Sequence, residues 1–220
     1  MMPVKICGIT NLKDAQIAVS CGASSLGFIF HDKSPRYILP ETACQIVEDL
    51  KGQVSFVGVF VDENLDNVHT IVHKVGLNII QLHGGETPEY CQKAKLPVIK
   101  VFQVAPDFNA EIMNGYDVHA FLFDTYKKGK SGGTGEVFNW HIIDGLQTAA
   151  PIILSGGLGI DNIISGIDTV SPSAVDINSG VEKMPGVKDE KKMKLLFSII
   201  KNIEGTINPF TIPVFQGGRS

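Results

Sequence analysis

Short, branched-rich apolar runs recur along the whole chain: Val4–Cys7, Leu26–Phe30, Val54–Val61, Leu77–Leu82, Val98–Phe102, Ala120–Phe123, Ile152–Leu154 and Ala174–Ile177. They are almost continuously hydrophobic, the pattern of strands covered on both faces. Amphipathic stretches of helical length lie between them, most clearly Asn11–Cys21, Pro40–Leu50, Asn64–Val75 and Thr87–Ala94. Thr10 or Asn11 can cap the first, Pro40 with Glu41 opens the second, and Thr87-Pro88-Glu89 opens the fourth. Strand alternating with helix predicts parallel βαβ units. Eight such units of roughly 25 residues fill a chain near the lower size limit of an eight-stranded parallel (βα)8 TIM barrel, an α/β fold. A last helix over Asp189–Ile203 closes the count, so residues 1–204 are expected to form one catalytic domain. The tail 205–220 carries Pro and Gly without helical period, and the pattern assigns it no role. An open doubly wound sheet is the competing arrangement. Its dinucleotide-binding form would carry G-x-G-x-x-G after the first strand, where this chain has Cys7-Gly8-Ile9-Thr10.

Composition narrows the class of function. With 44% hydrophobic and 19% charged residues, the 220-residue chain has the balance of a globular protein rather than a disordered one. A net charge of −4 offers no basic footprint for nucleic acid or anionic lipid. The longest apolar runs, such as Phe56–Val61, are far too short to span a bilayer, and the start Met1-Met2-Pro3-Val4-Lys5 lacks the pattern of a signal peptide. Cysteines at 7, 21, 44 and 91 form no C-x-x-C pair, so neither a zinc site nor a redox pair is signalled. These features lead to the expectation of a cytoplasmic protein without metal or cofactor; the sequence does not choose between monomer and homodimer.

In a barrel of this kind the chemistry lies at the carboxyl ends of the strands and in the loops after them. Those positions hold Cys7, His31, Arg36, Asp62, His83, Gln103, Asp124, Ser155-Gly156-Gly157 and Asp176 to Gly180. Gly156 and Gly157 follow the seventh strand and Ser179 and Gly180 the eighth. Glycine lets backbone amides approach an anion, a helix N-terminus near Gly159–Asp161 adds a favourable dipole, and two adjacent loops of this type predict a phosphate site. Cys7 could be a small buried residue, but strand alternation puts Lys5 on its side, where an ammonium favours thiolate. Asp124 ends the run Ala120–Phe123, where a carboxyl could serve as a general acid or as a loop cap. Asp62 precedes Glu63-Asn64 and reads as a cap of the third helix. His69, His73 and His141 read as helical residues, and Cys21, Cys44 and Cys91 as packing residues.

Taken together, several motifs resemble those of the phosphoribosylanthranilate isomerases. They are Lys5-Ile6-Cys7-Gly8-Ile9-Thr10; Gly27-Phe28-Ile29-Phe30 with Ser34-Pro35-Arg36; Gln81-Leu82-His83-Gly84; and Phe123-Asp124-Thr125. Gly132-Gly133-Thr134-Gly135 with Trp140, Leu154-Ser155-Gly156-Gly157-Leu158, and Val175-Asp176 through Ser179-Gly180-Val181-Glu182 to Pro185–Asp189 complete the series. The resemblance implies a (βα)8 barrel and an Amadori rearrangement of an aminoaldose, N-(5-phosphoribosyl)anthranilate, to its aminoketose in tryptophan biosynthesis. It further implies Asp124 as general acid on the furanose ring oxygen and Cys7 as general base at C2′. Arg36 would pair with the anthranilate carboxylate, as suits a planar guanidinium. His83 and Asp176 would contact the substrate, and Gly156, Gly157, Ser179 and Gly180 its phosphate. Asn178 and Asn139 depart from the pattern, where a small hydroxyl and an acidic residue are more usual. The basic run Lys127-Lys128-Gly129-Lys130 reads as a solvated loop that could also attract an anion.

Rival phosphate-binding barrels fit less well. The sugar isomerase of the histidine pathway would carry an aspartate where Cys7 stands, and indoleglycerol-phosphate synthase would need a catalytic lysine and a longer N-terminal extension. A catalytically silent, metabolite-binding barrel would not need both Cys7 and Asp124.

Overall fold

The computed structural model describes residues 2–125, 139–203 and 214–215, and within them the eight apolar runs form parallel strands of one closed barrel. In chain order these are β1 (Val4–Ile6), β2 (Ser25–Ile29), β3 (Ser55–Phe60), β4 (Ile79–Leu82), β5 (Val98–Val104), β6 (Ala120–Thr125), β7 (Ile152–Leu154) and β8 (Ala174–Ile177). The ring closes where β8 pairs with β1, Val4 opposite Val175 and Lys5 opposite Asp176. Each strand thus lies within a residue or two of its sequence-based bounds.

Local chemistry explains the helices. In α1 (Leu12–Cys21), Asn11 Oδ1 accepts from the Asp14 amide at 2.9 Å, and Gly22 ends the helix at φ 108°. Pro40 opens α2 (Pro40–Leu50) at a position that needs no N–H donor. Asn64 caps α3 (Leu65–Val75), so the cap expected of Asp62 is filled two residues later. Thr87 caps the short α4 (Pro88–Gln92). The last two helices are α5 (Ile163–Val170) and α6 (Glu190–Ile203).

After β5 and β6 the pattern departs from full βα units, because the described residues there form only single 3-10 turns, Ala110–Met113 and Trp140–Ile142. Asn109 and Asn139 cap them. Gly115 at φ 87° and Gly145 at φ 67° turn the chain away soon after. A second addition is a small hairpin between β8 and α6, made of β9 (Glu182–Met184) and β10 (Val187–Lys188). Gly186, at φ 80°, makes its turn.

Side-chain alternation divides the core. Val4, Ile6, Leu26 and Phe28 join the larger apolar cluster between barrel and helices. Val57, Ile79, Ile99, Leu122 and Ile153 fill the barrel interior, together with Val214 and Phe215 from beyond the last helix. Lys5, Ser25 and Gln81 are also buried, and the first turns inward on the same alternation.

Candidate active site

The carboxyl ends of β1, β2 and β8 make the first wall. Cys7 directly follows β1 and is buried. Lys5 is fully buried, and its Nζ donates to Asp176 Oδ1 at 2.9 Å across the β1–β8 seam. Gly27 of β2 makes room for this group: a Cβ there would lie 2.8 Å from Cys7 Sγ and 2.9 Å from Lys5 Nζ. Burial pushes the Cys7 thiol up from its ordinary value, and the facing Lys5 ammonium offsets only part of that. The sequence-based expectation that Lys5 lowers the thiol is therefore corrected: its sign is right, but desolvation outweighs it. Burial would lower Lys5 itself, yet Asp176 and Cys7 hold its ammonium above the ordinary range.

The second wall lies around β4 and β6. Asp124 is buried near the end of β6, and its Oδ1 accepts from the Thr125 amide at 2.8 Å. His83 Nε2 is 3.3 Å from Asp124 Oδ2, although it is not aligned for a hydrogen bond. Behind His83, Lys100 Nζ donates to the Gly84 carbonyl at 2.6 Å and to Glu86 Oε2 at 2.8 Å. Glu86 in turn accepts from the Asp62 and Gly84 amides. Asp62 Oδ1 accepts from the Gly85 amide at 2.6 Å, which is the role this residue has in place of a helix cap. The β4–α4 loop is thus clamped on both sides, with His83 at its start.

The loops after β7 and β8 meet backbone to backbone. Gly159 pairs with Gly180, and a Cβ on Gly180 would lie 2.0 Å from the Leu158 carbonyl oxygen. Gly156 and Gly157 adopt φ 83° and 71°, and a Cβ on Gly156 would lie 2.5 Å from Thr125 Oγ1 and 3.2 Å from Asp124 Oδ1. Asn162 braces the loop, accepting from the Gly159 amide at 2.8 Å and donating to the Gly157 carbonyl at 3.0 Å. Helix α5 starts at Ile163, a few residues later than the glycines suggested. Gly156, Gly157, Ser179 and Gly180 thus lie in two touching loops on the side of the barrel that carries Asp124 and Asp176.

Arg36 is buried in the loop after β2, not held out to solvent. Its Nε and Nη2 grip Glu182 of the hairpin, the shortest contact being 2.7 Å. Lys188 Nζ donates to Glu182 Oε1 at 3.0 Å and to Asn178 Oδ1 at 3.0 Å. Burial would raise Glu182, but the hydrogen bond from Arg36 and the nearby Lys188 hold its carboxyl below the ordinary value. Burial lowers Lys188, with Glu182 only partly offsetting it. Gly8, at φ 70°, sits against both Arg36 and Asn178, so this carboxylate-centred group adjoins the Cys7 wall.

Cys7, just after β1, and Asp124, on β6, stand three steps apart round the ring, both at the carboxyl end. Of the other strand-end candidates, Gln103 pairs in register with Asp124, while His31 lies partly exposed in the loop after β2. Asn139 caps a 3-10 turn. The basic run Lys127–Lys130 and the glycines 132, 133 and 135 lie outside the described residues. Glu182, Lys188, Glu86 and Lys100 stand outside the strand-end positions that pointed to chemistry in the sequence. The signal for the last was a lysine inside an otherwise apolar strand, Val98–Val104, which needs a partner if buried. Among the described residues no group of three His, Cys, Asp or Glu is arranged to hold a metal ion, and no helix is long and apolar enough to cross a membrane.

Comparison with known proteins agrees with this geometry. Residues 4–199 match the family model described as N-(5'phosphoribosyl)anthranilate (PRA) isomerase. The N-(5'-phosphoribosyl)anthranilate isomerase of Pelobacter propionicus is 44% identical over 201 residues, which cover 91% of this chain and 96% of that protein. Among solved structures, the phosphoribosyl anthranilate isomerase of Thermus thermophilus superposes with a TM-score of 0.83 at 36% identity, covering 92% of this chain and 100% of the other. A phosphoribosyl anthranilate isomerase in complex with reduced 1-(O-carboxyphenylamino)-1-deoxyribulose 5-phosphate superposes with a TM-score of 0.78 at 39% identity, covering 92% and 100%.

Proposed function

The chain belongs to the N-(5'-phosphoribosyl)anthranilate isomerase family, and from that premise we propose that it works through Asp124 as general acid and Cys7 as general base. The protein is an isomerase of tryptophan biosynthesis, converting N-(5-phosphoribosyl)anthranilate to 1-(2-carboxyphenylamino)-1-deoxyribulose 5-phosphate. The observation that carries the assignment of roles is the contrast between the two walls. One presents a thiol with a buried ammonium beside it, and the other a carboxyl with a histidine beside it.

In the first step Asp124 gives its proton to the furanose ring oxygen as the C1′–O bond breaks, and the anilino nitrogen's electron pair forms the Schiff base. In the second, the Cys7 thiolate takes the C2′ proton, and the C2′–H electrons flow towards the iminium to give an enolamine. Protonation at C1′ and loss of the C2′ hydroxyl proton then give the ketone. No net oxidation occurs, since the aldose carbon is reduced as its neighbour is oxidised. Such a paired acid and base is typically worth about 10²–10⁴-fold for each group. A thiol raised by burial is a stronger base once ionised, but fewer molecules carry it as thiolate, so the Lys5 ammonium counts directly towards rate.

The substrate's two anionic ends take different partners. The Arg36 edge not used by Glu182 receives the anthranilate carboxylate, and the Glu182 fork fixes the plane of the guanidinium for that contact. The backbone amides of Gly156, Gly157 and Gly180, with Ser179, hold the phosphate. Asp176 contacts the ribosyl part, and His83 the substrate beside Asp124. Residues 1–204 act as one catalytic domain, and the enzyme works in the cytoplasm.

The test is turnover of freshly generated phosphoribosylanthranilate, followed by loss of its fluorescence, in wild type, Cys7→Ser and Asp124→Asn. Each variant should lose at least about 100-fold in kcat with KM little changed. Full activity in either one removes that residue from its role.

A further inference from the structure

The barrel has two mouths, and the catalytic residues account for one. At the other, where the strands begin, the interior is closed by two residues from beyond the last helix. Val214 is fully buried and Phe215 is 3% exposed, although they follow α6 and lie near the chain's end. They belong to the cluster inside the barrel, whose remaining members are all strand residues. That layer includes two alanines, Ala120 and Ala174, where bulky branched residues usually fill a barrel of this kind. The missing volume is supplied by the valine and the phenyl ring.

The backbone of this dipeptide is also received. Ser55 Oγ, at the first residue of β3, donates to the Phe215 carbonyl at 2.5 Å. His119, immediately before β6, places Nε2 2.9 Å from the Val214 carbonyl. Two side chains on opposite sides of the mouth thus satisfy two carbonyls that would otherwise be buried without partners. A chance apolar contact would need neither.

Reach presents no obstacle. In a (βα)8 barrel the helices run back against the strands, so α6 ends on the face where the strands start. Ten residues separate Ile203 from Val214, and a chain of that length spans up to roughly 35 Å, more than the width of a barrel.

We propose that Val214–Phe215 is a built-in plug, and that the amino-terminal mouth of the barrel is a docking surface for the chain's own C-terminal segment. The plug belongs to the same molecule as the barrel it closes. It seals the interior layer from water and stands at the end of the barrel remote from Cys7 and Asp124.

Four forms of the protein test this: the full chain, Phe215→Ala, Phe215→Leu, and a chain ending at Ile203, each followed by thermal unfolding, sedimentation and turnover at 25 °C. Phe215→Ala should lower Tm by roughly 6–20 °C, with Phe215→Leu recovering most of the loss. Its kcat/KM should stay within about twofold of wild type, because no catalytic group is touched. The chain ending at Ile203 should unfold at least as early and self-associate through the exposed apolar mouth. If the shorter chain fails to fold, the two substitutions at Phe215 still decide. An unchanged Tm in Phe215→Ala would overturn the proposal. A full chain that sediments as a dimer, and that Phe215→Ala converts to monomers, would place the plug in a second copy and overturn it equally.

Discussion

Replacing Lys5 by Met should separate what this residue does for folding from what it does for the thiol. Methionine keeps the length and most of the volume of the side chain while removing the charge. For folding, the substitution leaves Asp176 buried beside a vacated 2.9 Å contact. Stranding a buried carboxylate in this way costs about 3–5 kcal/mol, or roughly 6–20 °C in Tm for a chain of this size. For catalysis, Sγ and Nζ both pack against Gly27. The facing ammonium is the largest influence that favours the thiolate, set against burial, which favours the neutral thiol. Without it the thiolate fraction near pH 7 should fall, and kcat/KM with it, by up to the roughly 10²–10⁴-fold that a general base contributes. The pH–rate profile distinguishes this from simple damage. Activity of Lys5→Met should recover as pH rises, because a higher thiol pKa moves the rising limb to more alkaline pH. The double variant Lys5→Met/Asp176→Asn removes the stranded charge, so it should regain stability, and its rising limb should move part of the way back, because the Asp176 carboxylate itself raises the thiol. A profile for Lys5→Met that overlays the wild type, or a uniform loss at every pH, would show that Lys5 does not act on the thiol.

Gly180→Ala forces a Cβ to within 2.0 Å of the Leu158 carbonyl oxygen, so the two anion loops must part. KM should rise by at least about tenfold, with inorganic phosphate inhibiting less strongly than in wild type. Lys100→Met leaves Glu86 buried without its 2.8 Å partner and should cost about 3–5 kcal/mol by denaturant titration. Loosening the β4–α4 loop should also lower kcat through His83. Glu182 is depressed below its ordinary value of 4.5. The stability it contributes is present above that value and is lost as pH falls through the depressed one. Glu182→Gln should therefore show a smaller fall in Tm between pH 5 and 3 than wild type, as checked by scanning calorimetry.

The strands were legible because a sheet covered on both faces needs long apolar runs, and nothing else in this chain repeats at that spacing. Helices with polar caps and terminal glycines, such as α1 and α3, were legible for the same kind of reason. The 3-10 turns after β5 and β6 were not, because a repeat seen four times invites its own extension and Asn109 caps a short turn as well as a long one. The hairpin of β9 and β10 escaped notice because strands of three and two residues carry no period. Its loss mattered most for the site, since it brings Glu182 and Lys188 to Arg36. Strand ends gave the candidate list directly, but partners in space did not follow from it. The buried pairs Lys100–Glu86 and Arg36–Glu182 join residues 14 and 146 positions apart. The tail illustrates the same limit: its apolar residues lie among prolines, and only the barrel's small interior residues give Val214 and Phe215 a place.

Removal of the C2′ proton by Cys7 is the step on which the proposed mechanism depends. A substrate deuterated at C2′ tests it most directly, with single-turnover rates compared between wild type and Cys7→Ser. Wild-type enzyme should show a primary isotope effect that grows as pH falls below the thiol's titration, and Cys7→Ser turnover should be slowed by at least about 100-fold. A Cys7→Ser enzyme that turns over at the wild-type rate, with the same isotope effect, would contradict it.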